Sequence, residues 1–148
     1  MGLIEEFKDK RIFLDTAPLI YYIEERKENI EILDPLFDIN ISGYTEFITS
    51  TLTLLEVLVL PIRLKRQDLV DQYEIILTQS DSIDIIDLNT EISRLAANIR
   101  ADYNYKTPDS IQLATAINYN SNYFLTNDKK LTHKDLIIIT PNSLKDFL

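Results

Sequence analysis

Two periodicities alternate along this chain, and their order leaves few folds open. Short runs rich in β-branched and aromatic residues read as strands: Arg11-Ile12-Phe13-Leu14, Tyr44 to Thr49, Ile83 to Ile86, Tyr123 to Thr126 and Leu136 to Ile139. Between them, apolar residues recur at helical spacing. Those segments are Pro18 to Glu24, Asn29 to Phe37, Thr53 to Leu64, Leu69 to Leu77, Ile92 to Tyr103 and Pro108 to Tyr119, with a short helix after Pro141. Gly43 should break the chain before the second strand, and Pro61 should bend or end its helix. Strands that alternate with helices predict an α/β fold, a parallel sheet with helices on both faces. Ligands of such sheets bind beyond the carboxyl ends of the strands, where strand order reverses. Residues just after a strand, or opening the next helix, are therefore site candidates by position.

Composition removes several chemistries. The chain has no Cys, which excludes disulfides, thiolate nucleophiles and cysteine-based zinc sites. Its one His, His133, excludes a zinc site built from several imidazoles and is expected at the surface. Only Gly2 and Gly43 are glycines, so no GxGxxG or P-loop can cradle a phosphate. The length of 148 residues suits one domain, 1–148, and 45% hydrophobic residues suffice for a core. No apolar run approaches the roughly 20 residues of a membrane span. The opening residues lack the order of a secretory signal, so a cytoplasmic protein is expected. The net charge of −9 argues against strong non-specific nucleic-acid binding, but excess carboxylate is what a hard divalent cation needs.

Four acids stand at the positions singled out. Asp15 follows the first strand and is also a natural helix N-cap. Glu56 sits in an apolar run, Thr51 to Leu60, where partial burial is expected; it would also complete a capping box with Thr53. Asp109 lies in Thr107-Pro108-Asp109, where Thr as N-cap, Pro at N1 and Asp at N2 suit a helix start. Asp128 lies just past the fourth strand. If the first and fourth strands are neighbours, the four acids meet at one sheet edge, around one point within reach of a cation. Carboxylates so gathered raise one another's pKa values unless cations hold them, and an oxygen-only donor set favours Mg²⁺ or Mn²⁺.

Four segments carry a resemblance to a known family. They are Ile12-Phe13-Leu14-Asp15-Thr16-Ala17-Pro18-Leu19-Ile20-Tyr21, Ser50 through Glu56, Thr107 through Ala116, and Phe124-Leu125-Thr126-Asn127-Asp128-Lys129-Lys130-Leu131. In this order they resemble PIN-domain ribonucleases, and most of all the VapC-type toxins of toxin–antitoxin pairs. The resemblance implies a three-layer α/β/α fold with a central five-stranded sheet ordered 3-2-1-4-5. It also implies metal-dependent hydrolysis of RNA to 5′-phosphate and 3′-hydroxyl products, with Asp15, Glu56, Asp109 and Asp128 as catalytic, metal-holding acids. Thr16, Thr126 and Asn127 fall where the family places small supporting polar groups. Gln112 is more polar than the usual helix at that point.

A cognate antitoxin and a homodimer follow from the same resemblance. The helices Pro18–Glu24, Asn29–Phe37 and Leu69–Leu77 are the apolar surfaces expected to serve them. Lys129 and Lys130, beside Asp128, are the candidates for RNA binding. The competing reading is a non-catalytic PIN-like module that holds RNA or protein. A signalling receiver would need a second acid where Thr16 stands, and an aspartyl phosphotransferase would need one at Ala17.

Overall fold

The computed structural model describes residues 2–148. Five strands, β1 (Arg11–Leu14), β2 (Glu46–Ser50), β3 (Ile83–Ile86), β4 (Tyr123–Leu125) and β5 (Ile137–Ile139), form one sheet in the order β3-β2-β1-β4-β5. Every pairing is parallel. The register sets Phe13 beside Ile48 and beside Phe124, so these three side chains share a face. The expected three-layer architecture and strand order are therefore both present.

Side-chain alternation divides the core in two. Ile12, Leu14, Phe47, Tyr123 and Leu125 pack on one face with α1 (Leu3–Phe7), α2 (Thr16–Ile23), α3 (Ile30–Ile41), α4 (Thr51–Arg63) and α5 (Gln67–Glu74). Phe13, Ile48 and Phe124 face the other way, against α6 (Thr90–Tyr103) and α7 (Thr107–Asn118). The rings of Phe13 and Phe124 stack, centroids 5.1 Å apart. Both are fully buried, and each such side chain contributes about 1.5–3 kcal/mol by leaving water.

Local differences from the sequence reading have physical causes. Helix α4 opens at Thr51, two residues early, because Ser50 leaves β2 with an extended backbone and its hydroxyl accepts from Thr53 N at 3.3 Å. Ser50, and not Thr53, is the cap. Pro61 lies within α4 without ending it; the helix runs on to Arg63. Helix α7 opens at Thr107 with Lys106 in the cap position, so Asp109 is at N3 instead of N2. Helix α3 extends to Ile41, and Gly43 then takes a left-handed φ of 86° before β2, as the break expected there requires. Helix α5 continues as a π-helical turn over Ile75–Gln79. The side chain of His133 is only 8% exposed, not at the surface as expected, because its ring stacks on Tyr103. Among the described residues no helix is long and apolar enough to cross a membrane.

Candidate functional site

The strand order reverses at β1, which lies between β2 and β4. Asp15 is the first residue past β1 and caps α2, its Oδ1 accepting from Thr16 N at 2.9 Å. The capping role expected of this residue is therefore present. Its other oxygen, Oδ2, accepts from the buried Thr126 hydroxyl at 2.8 Å. The Gln112 amide adds a longer contact to Oδ1 at 3.4 Å. Burial lifts the Asp15 carboxyl above the ordinary carboxylate value, partly offset by these donors, and the nearby charge of Asp128 lifts it further.

Asp109 is half-buried in the first turn of α7. Burial raises its pKa first, and the charges of Asp15, Asp128 and Glu56 add to that in turn; Lys106 opposes them. The other three acids thus all bear on Asp109, although they come from separate parts of the chain. Their neighbourhood lies at the carboxyl edge of the sheet, where the topology of an open parallel sheet places ligand sites.

Glu56 departs from expectation. It lies in the second turn of α4 and is exposed, not partly buried, since the helix buries the face of Thr53, Val57 and Pro61 and Glu56 lies off that face. Its Oε1 accepts from the Thr16 hydroxyl at 2.7 Å. Asp128 is exposed in the loop after β4, and its Oδ1 accepts from Lys130 N at 2.9 Å. Its own N–H donates to Thr126 Oγ1 at 3.1 Å.

The four acids do not surround one point at ligand distance, as the sequence reading had them. Among the described residues no three carboxylate or imidazole groups stand close enough to hold a common ion. Asp15, Glu56 and Asp128 are instead each bound to a donor of the chain. The donor set still fits a hard divalent cation: it is all oxygen, and it carries more negative charge than its neighbours offset.

The supporting residues fall in different places. Thr126 and Thr16 contact the acids directly, the first through Asp15 and the second through Glu56. Asn127 does not; its amide donates to Tyr21 Oη at 3.1 Å and ties the β4 loop to α2. Lys129 and Lys130 are exposed beside Asp128.

Gln112 was missed as a functional residue. It is buried, accepts from the Ser50 hydroxyl and donates to Thr53 Oγ1 at 2.7 Å. It thus joins α7 to the start of α4 as well as to Asp15. Its polarity within an otherwise small, apolar helix was the available signal.

Exposed apolar residues also fall elsewhere than expected. Helix α3 buries most of its apolar residues and helix α2 leaves none exposed, whereas Leu55, Val59 and Ile62 on α4 stand in solvent. They lie at helical spacing along the helix that carries Glu56.

The PIN domain family model matches residues 12–136, and the chain belongs to that family. Among solved structures, a toxin–antitoxin complex from Klebsiella pneumoniae aligns with TM-score 0.67 and 23% identity, covering 88% of this chain and 97% of that one. VapBC2 from Rickettsia felis, bound to a DNA fragment from its promoter, aligns with TM-score 0.68 and 18% identity over 88% and 98%. VapBC from Salmonella typhimurium, bound to DNA, gives 0.64 and 18% over 89% and 98%. At these identities the likeness establishes the fold. No curated protein matches the sequence.

Proposed function

We propose that this chain is a divalent-cation-dependent endoribonuclease, and the toxin of a toxin–antitoxin pair. One observation carries the catalytic half of the reading. Thr126 joins Asp15 to Asp128 at the carboxyl edge of the sheet and Thr16, next to Asp15, joins Glu56, so acids from separate parts of the chain meet there, and their charges raise the Asp109 carboxyl as well. Carboxylates gathered there without compensating cations cost stability, and a fold retains such a cost where function requires it.

In this reading Asp15, Asp109 and Asp128 hold Mg²⁺ or Mn²⁺, with Glu56 direct or through water. When bound, the cation supplies positive charge that stabilises the phosphate oxygens and leaving group of an RNA phosphodiester. Thr126 and Gln112 fix the carboxylate plane of Asp15, and Thr16 fixes that of Glu56. Asn127 supports the loop of Asp128 through Tyr21. Lys129 and Lys130 hold the RNA backbone against the excess negative charge.

The toxin half is supported by the solved relatives, described as toxin–antitoxin complexes. It predicts an antitoxin partner and a homodimer. The exposed stripe of Leu55, Val59 and Ile62 is the apolar surface a protein partner would cover.

Incubation of the protein with RNA, with Mn²⁺ or Mg²⁺ and then with EDTA, tests the nuclease reading. Cleavage that needs the cation and disappears in Asp15→Asn is the expected result. An intact substrate with both cations present would remove the reading.

The alternative, a non-catalytic PIN-like module for RNA or protein, is favoured by one observation. No three acids stand within ligand distance of a common point among the described residues. A protein that binds RNA without cutting it, and that gives no heat on Mn²⁺ titration, would establish that alternative.

A further inference from the structure

Asp109 and Asp128 are fixed by different means. Asp109 belongs to a helix, α7, whereas Asp128 lies in the long connection between β4 and β5, which has no helix or strand of its own. Something must set where that connection sits relative to α7. One side of it is held by Thr126, which receives Asp128 N. The other side is held by a residue of the α6–α7 turn.

That residue is Tyr105. Its hydroxyl accepts from Thr132 N at 3.0 Å. Its one proton faces three acceptors, Thr132 Oγ1 at 3.2 Å, Thr132 O at 3.3 Å and Lys130 O at 3.4 Å. Arg100 Nη1 donates to the Tyr105 carbonyl at 2.7 Å, so the turn that presents the ring is itself clamped to α6. The ring lies 5.4 Å from that of Tyr103, which stacks on His133 just beyond Thr132. Tyr105 precedes Asp109 by four residues, and Lys130 follows Asp128 by two. The phenol therefore bridges the two segments that carry these acids.

We infer that Tyr105 is a positioning residue for the cation site: its hydroxyl ties the Asp128 loop to the turn that leads into Asp109, and so limits how far the two acids can part when a cation binds. The inference rests on the nuclease reading above. It goes beyond it by assigning the geometry of the site to a residue outside the acidic set.

Tyr105→Phe keeps the ring and its packing and removes only the hydroxyl. Tyr123→Phe is the matched control. Its hydroxyl donates to Glu6 at 2.6 Å, joining β4 to α1 far from the acids. Calorimetric titration with Mn²⁺ is run on the wild type and both variants, with thermal unfolding of each. Loss of hydrogen bonds that hold one ligand in place is expected to weaken Mn²⁺ binding about five- to tenfold in Tyr105→Phe. Tyr123→Phe is expected to unfold earlier with unchanged Mn²⁺ affinity. Hydrogen exchange at residues 128 to 132 should quicken in the first variant alone.

Wild-type binding with equal affinity in Tyr105→Phe overturns the inference and leaves the nuclease reading intact. Equal weakening in both variants also overturns it, because the effect would then be general destabilisation. A wild type without Mn²⁺ binding removes the nuclease reading and the inference together.

Discussion

Thr126, buried at the end of β4, donates its hydroxyl to Asp15 Oδ2 at 2.8 Å and accepts Asp128 N at 3.1 Å through the same oxygen. One side chain thereby orients one acid and seats the backbone of another. The two strands that bring Thr126 to Asp15 are adjacent in the sheet although the residues are 111 positions apart.

Thr126→Val preserves shape and removes both interactions. An unpaired buried acceptor and N–H should cost about 1–3 kcal/mol, measured by urea unfolding. Asp15 would lose the strongest of the donors that lower its pKa, so the acid limb of the pH–rate profile should move to higher pH. An unmoved limb would count against ionised Asp15 as a requirement for cleavage.

Asp15→Asn should abolish cleavage and raise the cation-free Tm at neutral pH. The Asp15 pKa in the folded chain lies above its ordinary value of 3.8, chiefly through burial, so the ionised form is the one that folding disfavours. Replacing it with a neutral isostere removes that penalty. A lower Tm at pH 7 would contradict this assignment.

The same shift fixes a pH dependence. With folded pKa values raised, the native state holds more protons than the unfolded one between 3.8 and the raised values. The contribution of Asp15 and Asp109 to stability is therefore largest below 3.8 and is lost as pH rises through their folded pKa values. The Tm advantage of Asp15→Asn over wild type should accordingly shrink toward zero as pH falls to about 3.8. Thermal unfolding across pH in EDTA measures it.

Mn²⁺ should stabilise the wild type by mass action. At a hundred times the Kd the gain is about 2.7 kcal/mol, and EDTA should reverse it. Asp15→Asn should show little of the gain. Equal Tm shifts in both proteins would place the ion elsewhere.

Charge reversal at Lys129 and Lys130, both exposed beside Asp128, should weaken RNA binding and flatten its dependence on salt. Each lost phosphate contact reduces the slope of log K against log salt by about 0.7 for a single strand. Binding measured on an Asp15→Asn background separates this effect from cleavage.

Much of the molecule was written locally. The alternation of β-branched runs with helical spacing determined the α/β class. Strand-end positions, with the ordered motifs around Asp15, Glu56, Asp109 and Asp128, determined which acids to examine. Those signals are local because a strand or helix period is set by a residue's own neighbours.

What tertiary structure alone decided was which distant groups meet. Gln112 looked merely too polar for its helix until packing set it against Ser50, Thr53 and Asp15. Tyr105 carries no signal in the sequence; its role comes only from the β4–β5 connection that reaches its hydroxyl. Glu56 looked partly buried until packing turned Thr53, Val57 and Pro61 inward and left it in solvent. Hydrogen-bond partners and burial depend on strand order and helix docking, which bring together groups that no sequence window contains. The local pattern could name the acids; only the folded chain could decide how each is held.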